Sequence, residues 1–157
     1  MVLVDTSVLI NFFRGKETVG TAYFEKLLEE QKHFCINEFI YQELLQGSKD
    51  EKEFAVLKSY LMDVPLYSLK RGIQSFENAA LLNFRCRRKG VTIRSTVDLL
   101  IAETAIENNI PLLHDDDDFA NMARIITELK LVVQMITPNT RFNLTLRTSR
   151  KCRLSRC

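Results

Sequence analysis

The chain has 157 residues, 46% hydrophobic and 27% charged, with 22 Lys and Arg against 20 Asp and Glu and no tryptophan. That is one domain's length, enough to bury roughly two-thirds of the unfolded surface, and five glycines and three prolines exclude collagenous and low-complexity classes. The start, Met1-Val2-Leu3-Val4-Asp5, has no basic or cleavable leader pattern, and no window approaches ~18 uninterrupted apolar residues, so a cytoplasmic protein with no membrane segment is expected.

Val2-Leu3-Val4 suits a strand buried on both faces and ends at Asp5. Thr6 and Ser7 are N-cap types for a short helix through Val8, Leu9, Ile10, Phe12 and Phe13, closing near Gly15. Tyr23, Phe24, Leu27 and Leu28 recur at helical spacing and predict a helix from about Thr18 to Gln31. Phe34-Cys35-Ile36 is the next strand, after which Asn37 can cap a helix from Glu38 to about Gln46, stopped by Gly47. Another helix fits Glu51 to Leu61. Val64-Pro65-Leu66 follows as a strand whose proline points to an edge or a strand start.

The stretch from Gly72 to Lys89 is helical in pattern and ends at Gly90. Ser95 opens a helix carrying Val97, Leu100, Ile101, Ala102, Ala105 and Ile106, which ends near Asn108-Asn109. Ile110-Pro111-Leu112-Leu113 then runs as a buried strand into His114 and four aspartates, Asp115 to Asp118. A short helix with Phe119, Met122 and Ala123 precedes the last strand, Leu131-Val132-Val133. Five short apolar strands alternating with helices imply an α/β fold, a parallel sheet with helices on both faces. Right-handed crossovers then bring the carboxyl ends of the strands to one edge, where a ligand belongs.

No break divides residues 1–140, which carry 16 basic and 20 acidic side chains, a net of −4. Residues 141–157 hold six basic side chains and no acid, and read as a basic, poorly ordered tail. Four cysteines without C-x-x-C spacing and two unpaired histidines make neither a zinc pattern nor a disulfide framework.

The acids are the informative residues. Asp5 and the Asp115 to Asp118 run fall at strand ends on the ligand edge. Glu43 follows Phe39 and Ile40 by four and three residues and shares their apolar stripe; Asp98 leads the stripe of Ile101, Ala102 and Ala105. Each has a structural alternative. Asp5 can be a helix cap, the run a solvated loop before a helix, and Asp98 the third residue of a capping box opened by Ser95. Converging carboxylates repel and drift toward protonation unless a cation intervenes, and all-oxygen ligands suit Mg²⁺ or Mn²⁺. Such a hydrated ion supplies the activated water of phosphodiester hydrolysis, so the pattern reads as a metal-dependent nuclease.

Asp5-Thr6-Ser7-Val8-Leu9-Ile10, Tyr41-Gln42-Glu43-Leu44-Leu45-Gln46-Gly47, Ser95-Thr96-Val97-Asp98-Leu99-Leu100-Ile101-Ala102 and Leu112-Leu113-His114-Asp115-Asp116-Asp117-Asp118-Phe119 occur in the order seen in PIN-domain ribonucleases. Over residues 1 to about 135 the chain resembles the VapC-type toxins of VapBC toxin–antitoxin systems. The resemblance implies a three-layer α/β/α sandwich around a central parallel sheet of about five strands, a Mg²⁺ or Mn²⁺ site and hydrolysis of RNA. It puts Asp5, Glu43, Asp98 and Asp116 in the catalytic and metal positions, with Asp118 as a supporting ligand; the four-aspartate run leaves this register open by one residue. Thr6 and Ser7 are expected to hydrogen-bond a ligand or phosphate, and Ser95 to hold the helix that presents Asp98. Asn11 stands where such toxins often carry an acid.

The resemblance also implies a homodimer and a VapB-type antitoxin. An acidic centre cannot hold a polyanion without basic flanks, so Arg85, Arg87, Arg88, Lys89 and Arg94 are candidate RNA contacts. The alternatives are a catalytically inactive PIN-fold module that binds RNA or protein, and the same chemistry on DNA.

Overall fold

The structure is a computed structural model in which residues 1–132 are described. Val133 of the expected last strand and the whole 141–157 tail lie outside the described residues. Strand β1 (Val2–Val4) is buried along its whole length, as a strand covered on both faces must be. It pairs in parallel with β2 (Phe34–Cys35) on one side and with β3 (Leu112–Leu113) on the other, giving the order β2-β1-β3.

The two outer expected strands survive as single parallel bridges, Ile36 with Leu66 and Leu112 with Leu131. Pro65 explains the first. Its carbonyl accepts from Ile36 N–H at 3.1 Å and Tyr67 N–H returns to the Ile36 carbonyl at 2.9 Å, while the proline has no N–H to extend the ladder outward. Five parallel positions therefore cross the molecule, three of them full strands.

The helices follow their sequence signals closely. They are α1 (Thr6–Phe13), α2 (Val19–Glu29), α3 (Glu38–Gln46), α4 (Glu51–Leu61), α5 (Ile73–Arg88), α6 (Thr96–Glu107) and α7 (Asp117–Ala123). Asn37 caps α3 by accepting from Ile40 N–H at 2.9 Å, and its amide donates to Thr104 Oγ1 at 3.0 Å, locking α3 to α6 through a fully buried polar pair. The N-cap of α1 is Asp5, not Thr6 or Ser7. The helix starts one residue early because both hydroxyls are engaged in tertiary bonds. Phe12, Phe24 and Phe34 stack edge to face at 5.1 and 5.0 Å between centroids, tying α1, α2 and β2 together. Leu3, Val4, Ile36, Ile40, Ile101, Leu112, Leu113, Phe119 and Met122 fill the core around the sheet.

Candidate active site

The chain passes from β1 to β2 on one flank and later returns to lay β3 on the other, so the gap between β1 and β3 is the point where strand order reverses. Open α/β sheets bind their ligands there, beyond the carboxyl ends. Asp5 leaves β1 at this point, its N–H bonded to the Leu113 carbonyl at 2.9 Å, and the aspartate run leaves β3 beside it.

Asp5 is only 5% exposed. Its Oδ2 accepts from Ser7 N–H at 2.9 Å and from Ser7 Oγ–H at 2.5 Å. Burial pushes its pKa up to about 6 and the charge of Glu43 adds to the rise, while the Ser7 bonds oppose it. Asp5 is thus a helix cap and also a strained negative charge. Glu43 projects half-buried from α3, where Oε2 accepts from Thr6 Oγ1 at 2.6 Å.

Asp98 sits in the first turn of α6. Ser95 Oγ caps that helix by accepting from Val97 and Asp98 N–H at 3.1 and 3.4 Å. Burial first, and then the charges of Asp5, Asp116 and Asp118, together raise Asp98 to about 6. Glu43 thus acts on Asp5, and Asp5, Asp116 and Asp118 act on Asp98, at one edge of the sheet.

The four consecutive aspartates take four different roles. Asp115 faces inward and accepts from Thr18 Oγ1 at 2.6 Å, Asn11 Nδ2 at 3.0 Å and Gly20 N–H at 3.1 Å, while its own N–H donates to Ser7 Oγ at 3.0 Å. A Cβ on Gly20 would lie 2.4 Å from Asp115 Oδ1, so only glycine admits the carboxylate. Asp116 caps α7 through Asp118 N–H at 2.9 Å and stays half-buried on the acidic edge. Asp117 is exposed on α7. Asp118 is buried, and its Oδ2 accepts from both the N–H and Nε of Arg94 at 3.1 Å. His114, packed 5.4 Å from the Phe119 ring, is pushed down in pKa by burial.

The expected basic flank divides. Arg94 turns onto the acids, its Nη2 donating to Asp116 Oδ1 at 3.3 Å. Arg85 is instead engaged with Glu128 at 2.9 and 3.3 Å, and Arg87, Arg88 and Lys89 are exposed at the end of α5. The Ser7 and Thr6 hydroxyls donate to the carboxylates of Asp5 and Glu43. Among the described residues no three Asp, Glu, His or Cys side chains are gathered tightly enough to hold an ion as they stand. Asp5 and Glu43 are bonded to hydroxyls, and Asp116 and Asp118 to Arg94.

Two features were hidden from sequence reasoning: the inward role of Asp115 and the seat of Arg94. Asn11 carried a signal for the first. An amide where an acid is customary is a donor in search of an acceptor, and the Asp115 carboxylate is that acceptor.

Parallel strands ending in acids at the switch point define the class, and comparison with known proteins agrees. The chain matches the PIN domain over residues 2–125 and belongs to that family. It is 33% identical over 126 residues to "VapC ribonuclease Mb1587" of Mycobacterium bovis and to "Ribonuclease VapC11" of Mycobacterium tuberculosis, covering 80% of this chain and 93% of each relative. Among solved structures, VapBC2 from Rickettsia felis bound to a promoter DNA fragment gives a TM-score of 0.63 at 20% identity, over 83% of this chain and 97% of that one. VapBC-1 from nontypeable Haemophilus influenzae gives 0.61 at 21% identity, over 83% and 96%. These two likenesses concern the fold.

Proposed function

We propose that this chain is a divalent-metal-dependent endoribonuclease and the toxin of a toxin–antitoxin pair. The observation that carries the reading is geometric: Asp5, Glu43, Asp98 and the aspartate run come from four separate segments to one edge. There Thr6 beside Asp5 donates to Glu43, Ser7, which holds Asp5, accepts from Asp115 N–H, and burial together with neighbouring acids raises Asp5 and Asp98. The curated relatives, named as ribonucleases, support the substrate class.

The donor set is all carboxylate and its members crowd negative charge, which is the chemistry that a hard Mg²⁺ or Mn²⁺ relieves. Asp5, Asp98 and Asp116 would hold the ion, with Glu43 in support; it would supply a polarised water and neutralise the phosphate and the leaving oxygen. Ser7 fixes the Asp5 carboxylate by two bonds to one oxygen. Thr6 fixes Glu43 through Oε2 and leaves Oε1 to accept a proton from the attacking water. Ser95 starts α6 so that Asp98 enters the edge in its first turn. Arg87, Arg88 and Lys89, exposed at the end of α5, and Arg94 on the acids remain the candidate contacts for the RNA backbone, whereas Arg85 is paired with Glu128.

An antitoxin and a second copy of the chain belong to the same reading. Helix α4 buries only Leu61, while Phe54, Val56 and Tyr60, with Met62 beyond its end, are exposed, an apolar surface of the kind a partner covers.

Purified wild type and Asp5→Asn are incubated with bacterial RNA and, separately, single-stranded DNA, in Mg²⁺, Mn²⁺ or EDTA, and new ends are sequenced. Discrete RNA ends with wild type and metal, absent with Asp5→Asn or chelator, are expected. Cleavage that survives thorough chelation would refute the metal; cleavage confined to DNA would replace the substrate; none at all would leave a binding module.

A further inference from the structure

We propose that Arg94 grips a phosphate of the RNA at the cleavage centre, and that Asp118 is its anchor. This deepens the ribonuclease reading and rests on it. Among the described residues, Arg94 is the one cationic side chain that forms ion pairs with acids of the candidate site. The other arginines with ion pairs are spent elsewhere, Arg71 on Glu107 and Arg85 on Glu128.

The side chain is held at two levels. Its backbone N–H and Nε both reach Asp118 Oδ2, and Nη2 reaches Asp116 Oδ1. Two of the five guanidinium N–H groups are thereby used and three make no bond to a described residue. At 73% exposure they face solvent over the acidic edge.

A guanidinium pinned on one side and open on the other presents its planar fork to phosphate with little rotamer freedom left to lose. Asp118 suits this anchoring role better than that of an ion ligand. It is almost wholly buried and its Oδ2 is taken twice by Arg94, whereas Asp116 and Asp98 are half-buried. The position of Arg94, one residue before the cap of α6, couples the loop that carries it to the helix that presents Asp98.

The test uses the full chain with Asp5→Asn as an uncleaving background, unfractionated bacterial tRNA as the probe, fixed Mg²⁺, and binding measured across monovalent salt. Each lost phosphate contact reduces the slope of log K against log salt by about 0.7–0.9. Arg94→Gln should lower the slope by that amount and weaken binding, and Arg94→Lys should restore most of the slope but not all of the affinity. Asp118→Asn should weaken binding when Arg94 is present and add nothing when it is Gln, the non-additivity expected of a residue acting through its partner.

A lower melting temperature with an unchanged slope in Arg94→Gln overturns the proposal and leaves Arg94 a strut, with the ribonuclease reading intact. Should Arg94→Gln fail to fold, Arg94→Lys decides: an affinity equal to that of the parent overturns the proposal. Absence of tRNA binding in every protein, the background included, removes the ribonuclease reading and the phosphate grip with it.

Discussion

Replacing Asp115 by alanine should unfold the protein before it touches the chemistry, whereas Asp116→Asn should do the reverse. The Asp115 carboxylate satisfies Thr18 Oγ1, Asn11 Nδ2 and Gly20 N–H, three donors from α1, the following loop and α2. A buried donor left unpaired costs about 1–3 kcal/mol, and this half-buried position lets some water in, so the lower half of that range applies to each. The sum is about 3–6 kcal/mol, a drop in melting temperature of roughly 6–24 °C for a domain of this size. Asp116 Oδ1 accepts from Asp118 N–H and from Arg94 Nη2, and its isosteric amide keeps an oxygen there while giving up one exposed ion pair, worth about 0–1 kcal/mol. Asp116→Asn should therefore melt within a few degrees of wild type and lose RNA cleavage. Urea titration and thermal melting, beside RNA-end sequencing, separate the two. A stable, inactive Asp115→Ala together with an active Asp116→Asn would refute this division of the aspartate run and move the ligand one residue earlier.

Gly20→Ala forces a methyl to within 2.4 Å of Asp115 Oδ1 and 2.9 Å of Val8 Cγ2, and should cost about 1–3 kcal/mol in urea denaturation despite the higher helix propensity of alanine. Asn37→Ala removes both the cap of α3 and the bridge to Thr104; a loss of about 2–3 kcal/mol is expected, with cleavage retained by the folded fraction, as measured by denaturation and RNA assay together. Asp5 and Asp98 are raised above the unfolded value near 4 to about 6. Their contribution is fully present below pH 4 and lost as pH rises through 6, so without divalent cation the urea midpoint should fall over that window. Asp5→Asn should flatten the fall, recovering on the order of 2–3 kcal/mol at pH 7. Equal slopes in the two proteins would show that Asp5 is ionised at no cost.

Much of this molecule could be read from local chemistry. The bounds of α3 follow from Asn37 and Gly47, and the structure has that helix where the residues put it. The strand ends that carry Asp5 and the aspartate run were equally legible, because short apolar runs bounded by acids leave few alternatives. The roles within the run were not. Four identical side chains in a row differ only in what the rest of the fold offers each of them, and the deciding groups, Asn11, Thr18, Gly20 and Arg94, lie 22 to 104 residues away. For the same reason Arg94 read only as one more candidate RNA contact beside Arg85 to Lys89. Nothing in its spacing announced that it would turn back onto Asp116 and Asp118.

The edge that gathers these acids is stitched from opposite ends of the domain: Asp5 and Ser7 are made early, while Leu113 and Asp115, which they bond, come more than a hundred residues later. During synthesis the first half of the centre must wait for the second, since β3 is a pairing partner of β1 as well as the bearer of the last acids. A nascent or truncated polypeptide ending before Pro111 has neither, so this centre stays unassembled on the ribosome until nearly the whole fold has emerged.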